Sequence, residues 1–221
     1  MAESDLSEYV REVEGLKAMH PGFVLLGVEA DYRPETVDRV AAMLEAHPFD
    51  YVIGSVHFLG DWAFDDPRRL EEYDHRDIDQ AWIDYLELVG DAAESGLFTI
   101  LGHLDLLKKF GYRPTRSLDR ELERLVERVK RSGTVVEINT AGLRKPVGEM
   151  YPSFHIVRAL HDAGVNVTFG SDAHKPAEVG ADFIQAENLV RSAGFTHFAV
   201  LEPSERGKRA SVSLLPLADL G

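Results

Sequence analysis

Five positions in this chain combine metal-holding residue types with a place just past an apolar, strand-like run. Glu29 follows Phe23 to Val28, His57 follows Tyr51 to Val56, and His103 follows Leu97 to Leu101 and Gly102. Asp172 and His174 follow Val165 to Phe169 and Gly170, and Asp-x-His at a strand mouth is a metal-ligand spacing. Carboxylate and imidazole donors together suit zinc, manganese or iron and do not select one. With 38 acidic residues and 9 histidines among 221, one such ending carries no weight. Read singly, each is as well explained as a buried, hydrogen-bonded polar residue. Their recurrence at successive strand ends, where α/β barrels keep their reacting groups, points to a shared metal site. A carboxylate can bridge two ions, and two ions can hold a hydroxide nucleophile while neutralising a transferring phosphoryl group. Phosphoester hydrolysis is the chemistry such a set would serve.

To bring these residues together the chain needs strands that all point one way. Apolar runs over 23–28, 51–56, 97–101, 134–138, 165–169 and 197–201 predict six strands. Amphipathic patterns predict helices over about 5–19, 34–46, 78–95, 118–131, 152–163 and 177–193, with Ser117 as the N-cap of the fourth. Alternation of this kind implies an α/β fold around a parallel sheet, open or closed into a barrel, as one domain over residues 1–221. The segment after His57 is long, lacks periodicity and reads as a functional loop. A run at 210–215 reads as an extra strand without an assigned place. No glycine-rich phosphate loop follows a strand, which disfavours nucleotide-binding folds.

The formal net charge of -14 argues against nucleic acid as a partner, while a small phosphorylated substrate remains compatible with local basic residues. Without cysteine, a metal must be held by histidine and carboxylate. No apolar run is long enough to span a membrane, and the first residues do not resemble a signal peptide, so a cytoplasmic protein, oligomeric or not, is expected. Arg144 and Lys145 lie on a segment following the fourth strand, either as an exposed basic loop or as a phosphate clamp, and Lys108 and Lys109 have a similar, weaker case. Asp105 reads as an outer partner of His103 or a helix cap, in preference to a ligand. Glu137 and Asn139 read as hydrogen-bonding residues that shape the mouth.

Several motifs carry a resemblance. Leu26-Gly27-Val28-Glu29-Ala30-Asp31-Tyr32, Gly54-Ser55-Val56-His57, Gly102-His103-Leu104-Asp105, Glu137-Ile138-Asn139-Thr140-Ala141-Gly142-Leu143-Arg144-Lys145-Pro146 and Gly170-Ser171-Asp172-Ala173-His174 resemble the histidinol-phosphatases of the PHP (polymerase and histidinol phosphatase) family. The resemblance implies a distorted (β/α)7 barrel, up to three divalent metal ions and hydrolysis of L-histidinol phosphate in histidine biosynthesis. By the family's pattern Glu29 bridges two metals, His57 and His103 complete the second site, Asp172 belongs to the first and His174 to the third. Arg144 binds the phosphate, and with Asp172 it is the candidate for catalytic contact. The family's opening His-x-His strand and its Ser-Asp-His strand end have no counterpart in this chain. The expectation is therefore an N-terminally truncated barrel of about six strands, with fewer metals than the family binds and weak or no activity. Another phosphorylated substrate, or a non-catalytic metal-binding remnant, are the alternatives.

Overall fold

The computed structural model describes residues 3–203 and 209–220. Its centre is a five-stranded parallel sheet of β1 (Gly27–Asp31), β2 (Tyr51–Ser55), β5 (Ile100–Leu101), β6 (Val135–Asn139) and β7 (Val167–Gly170), in that spatial order. β3 (Phe58–Leu59) and β4 (Trp62–Ala63) form a short antiparallel ribbon inside the segment read as an irregular loop, which continues in a 3₁₀ helix over Pro67–His75. Among the described residues six α-helices alternate with the strands: α1 (Glu3–Met19), α2 (Val37–Glu45), α3 (Ile78–Glu94), α4 (Asp119–Ser132), α5 (Phe154–Ala163) and α6 (Phe183–Ala193). No helix among the described residues is long and apolar enough to cross a membrane.

The two faces of the sheet bury different material because successive side chains point oppositely. Val52, Leu101, Val136, Ile138 and Val167 join the large core with Leu86, Val89, Leu125, Val129, Val157, Leu160 and Val190 of the helices. Ile100 and Val135, with Tyr51 and Ile53, point the other way and pack against Ala199 and Leu201. β6 is buried at all five positions, as a parallel strand covered on both faces must be. The glycines at 133, 164 and 194 end α4, α5 and α6 in the left-handed conformation, as expected of C-terminal caps.

Four sequence expectations change. The sixth strand, β8 (His197–Glu202), does not extend the parallel ladder: it pairs antiparallel with β9 (Ser211–Pro216), the run that had no assigned place. This hairpin covers the inner face near the start of the strands, where Ala210 N donates to Asp50 O. The first strand starts at Gly27, in register with Tyr51, so Glu29 lies within it and does not follow it. Phe23, counted as part of that strand, is 87% exposed. The last long helix begins at Phe183, not near 177, because Gly180 and Asp182 take positive φ and interrupt the helical path. Ser117 accepts from Asp119 N, but Leu118 occupies the N-cap of α4.

Candidate metal centre

Parallel register brings the strand ends to one edge of the sheet, and the cavity there has a volume of about 430 Å³. Glu29, His103, Glu137, Asn139, Asp172 and His174 line it. On the strand β1, Glu29 and Asp31 are two residues apart and share a face. Glu29 Oε1 accepts from Ser55 Oγ at 2.6 Å and from His103 Nε2 at 3.1 Å, and lies 3.7 Å from His57 Nε2. Ligand atoms of Glu29, His57 and His103 all fall within 4.8 Å of one another. His57 Nδ1 donates to Asp31 Oδ1 at 2.5 Å, which leaves the Nε2 lone pair on the side of Glu29. A carboxylate behind an imidazole in this way fixes the ring and its tautomer in metal sites. His103 Nδ1 is buried without a hydrogen-bond partner among the described residues. Two imidazoles, one carboxylate and an orphaned ring nitrogen fit a divalent cation better than they fit a closed hydrogen-bond network.

The electrostatics agree. Burial pulls the His103 pKa down, but the hydrogen bond to Glu29 and the negative charges of Glu29, Glu137 and Asp172 outweigh it and push it to about 9. For Glu29, burial raises the pKa, and the hydrogen bonds from His103 and Ser55 with the His57 charge overcome this and hold it at about 2. In the metal-free protein His103 therefore carries a proton that a metal must displace. Between about pH 7 and 9, affinity for zinc should rise about tenfold per pH unit, as a one-proton exchange requires. Stability of the metal-free protein should move oppositely: the raised pKa contributes fully below pH 6.5, and the contribution is lost as pH climbs through about 9. Chelator competition at several pH values and thermal unfolding of stripped protein measure the two trends.

Glu137, 6% exposed, accepts from His103 N and Asn139 Nδ2 through Oε2. Burial chiefly pushes its pKa up, and the charge on Asp172 adds to this. The close approach is possible because position 170 lacks a side chain: a Cβ there would lie 1.8 Å from Glu137 Oε1. Gly170→Ala should destabilise the fold by about 1–3 kcal/mol, the usual cost of overpacking, and should weaken metal binding; denaturant unfolding and metal titration check both.

Asp172 and His174 stand on the opposite wall, outside the three-residue cluster. Asp172 has φ +47 and His103 φ +24, so two of the three non-glycine residues with positive φ among the described residues belong to this cavity. Backbone held in such regions costs roughly 1–3 kcal/mol and tends to mark functional sites. His174 Nδ1 donates to the Asp172 carbonyl oxygen at 3.1 Å, leaving Nε2 free, and its side chain is 77% exposed.

The basic candidates are placed differently from their sequence reading. Lys108 is fully buried: Nζ lies 2.9 Å from Asp105 Oδ2 and from Glu149 Oε2 and donates to Met150 O. Lys109 donates to the Asp65 carbonyl and carboxylate. Both ammonium groups are taken up by protein acceptors, and neither they nor Arg144 line the cavity. Asp105 occupies the N-cap position of the following 3₁₀ turn without a side-chain capping bond; its carboxylate bonds Ser153 N and Lys108 instead, and not His103. Arg144 donates to Ser171 O at 2.5 Å and to Asp182 Oδ2 at 3.2 Å, bracing the segment that carries Asp172. Sequence reasoning gave no role to Asp31 or Ser55. Asp31 lies two residues after Glu29 on β1 and Ser55 two residues before His57 at the end of β2, and that spacing is the available signal.

Residues 3–141 match the PHP domain family. The chain is 43% identical over 199 residues to a protein of Deinococcus radiodurans named a probable histidinol-phosphatase, covering 88% of this chain and 75% of that one. A solved structure of a candidate histidinol phosphatase from Listeria monocytogenes superposes with a TM-score of 0.74 at 25% identity, over 84% of this chain and 77% of that chain. Histidinol phosphate phosphatase from Lactococcus lactis, solved with zinc, L-histidinol and phosphate, shares the fold with a TM-score of 0.70 at 22% identity, over 93% of this chain and 79% of that chain. Its barrel-like α/β fold, its ligand-bearing strand ends and its relatives agree: the chain belongs to the PHP domain family.

Proposed function

We propose that this protein is a metal-dependent phosphomonoesterase that hydrolyses L-histidinol phosphate to L-histidinol and phosphate, acting in the cytoplasm as a single domain on a small phosphorylated substrate and not on nucleic acid. The observation that carries the reading is the Glu29, His57 and His103 cluster, with ligand atoms within 4.8 Å, at a cavity in a chain 43% identical to a probable histidinol-phosphatase. Bound zinc, manganese or iron would supply Lewis-acid polarisation of the phosphoryl group and an acidified water.

The protein's own groups do the rest. Asp31 holds the His57 ring with Nε2 toward Glu29, and Ser55 fixes the Glu29 carboxylate by a 2.6 Å hydrogen bond. Asp172 and His174 are read as further ligands from the facing wall. Arg144, whose guanidinium lies against the Ser171 carbonyl, is read as the phosphate contact, with Asp172 in direct contact with the reacting group. Glu137 holds the His103 backbone through its N–H, which keeps that ring aimed at Glu29.

Phosphate release from L-histidinol phosphate, assayed after loading separately with zinc, manganese and iron, tests the proposal. Turnover that disappears on chelation and returns with metal is expected. No release with any of the three metals would overturn the reading.

A further inference from the structure

A second cavity of about 390 Å³ opens between α3, α4 and the start of α5. Its floor is apolar, formed by Trp82, Leu86, Leu118 and Ile156, all buried. Asp105 also lines it. That side chain is 1% exposed, and its Oδ1 has no hydrogen-bond partner among the described residues. Oδ2, in contrast, is saturated by Ser153 N and the Lys108 ammonium, both at 2.9 Å. The charge is compensated as well: Asp105, Lys108, Glu149 and Arg113 alternate in sign along contacts of 2.9, 2.9 and 2.6 Å. What Oδ1 lacks is therefore a donor, not a countercharge, and a neutral N–H or O–H fits it better than an ammonium would.

The rim has the opposite character. Arg116 and His155 are exposed there, and Arg116 makes no salt bridge among the described residues, its charge acting at longer range on Asp79. Asp119 is the acid on the same rim, and the ten-residue helix α5 begins at the cavity, adding the positive end of its dipole. An apolar slot with a buried acceptor in its wall and a guanidinium on its exposed rim matches a definite kind of molecule.

We propose that this cavity binds a small aryl carboxylate carrying one neutral hydrogen-bond donor, with the ring on Trp82 and Leu118, the donor at Asp105 Oδ1 and the carboxylate at Arg116. This site is separate from the metal centre and does not depend on the phosphatase reading.

The test uses the full chain and three probes: 4-hydroxyphenylacetate, phenylacetate, which lacks the donor, and p-cresol, which lacks the carboxylate. The chain has two tryptophans, so the indole N–H resonance of Trp82 reports the cavity and that of Trp62 serves as reference. A saturable shift confined to Trp82 is expected with 4-hydroxyphenylacetate at millimolar concentrations or below. Phenylacetate and p-cresol should each bind about fivefold more weakly, the size of one lost hydrogen bond or ion pair. Arg116→Ala, at an exposed position, should weaken both carboxylates and leave p-cresol unchanged. Absence of a saturable shift would mean that the cavity holds water only and would overturn the proposal. Equal affinities for the three probes, any other order, or a shift shared with Trp62 would overturn it too.

Discussion

Glu29→Gln is expected to lower kcat/KM for L-histidinol phosphate by about a thousandfold or more and to empty the metal site. A metal supplies several kcal/mol of transition-state stabilisation, and each 1.36 kcal/mol is tenfold in rate. The amide matches the carboxylate in size but not in charge. Oε1 of Glu29 meets Ser55 Oγ, His103 Nε2 and His57 Nε2 within 2.6 to 3.7 Å. With the charge removed, the largest support for a protonated His103 is lost, and only the charges of Glu137 and Asp172 remain to oppose burial. The variant should therefore also show a weaker pH dependence of metal-free stability above pH 6.5. Metal content after dialysis, steady-state kinetics and unfolding against pH measure these effects together. A variant with full metal content and wild-type turnover would show that the three residues are a hydrogen-bonded cluster and no more.

The second large effect is on stability. Lys108→Met should destabilise the protein by about 3–5 kcal/mol, the usual consequence of removing one partner of a buried ion pair. Methionine is similar in length, so little packing is lost and the electrostatic effect is isolated. Asp105, at 1% exposure, would keep the Ser153 amide but lose its 2.9 Å cation, and the Met150 carbonyl would lose its donor. Glu149, which retains Arg113, should tolerate the change. Denaturant titration measures the loss, and Asp105→Asn with Lys108→Met should recover part of it. If Lys108→Met unfolds at the wild-type midpoint, the ion pair contributes nothing and a role for Lys108 at a surface site would return.

Much of the site was legible before any coordinates because it depends on local pattern. A run of buried residues ending in Glu or His specifies both a strand and the edge at which its last side chain emerges. Glu29, His57 and His103 were found in this way, and their convergence needs only that β1, β2 and β5 be parallel neighbours. Asp31 and Ser55 share that logic and were passed over because an aspartate or serine near a strand end is common.

What the chain alone determined is the alternation of strands and helices, the exclusion of cysteine chemistry and the set of strand-end donors, since periodicity and residue type are properties of short segments. Tertiary structure decided where the remaining groups go. Lys108 reads as a surface cation but turns inward because Asp105, Glu149 and the Met150 carbonyl, remote in sequence except for Asp105, converge on one buried point. β8 and β9 form a separate hairpin on the inner face because Ala199 and Leu201 find Ile100, Val135 and Ile53 there. The wall that Asp172 and His174 occupy follows from a positive-φ turn that no hydrophobic pattern encodes. Contacts between distant segments depend on register and loop path, and these exist only once the sheet has formed.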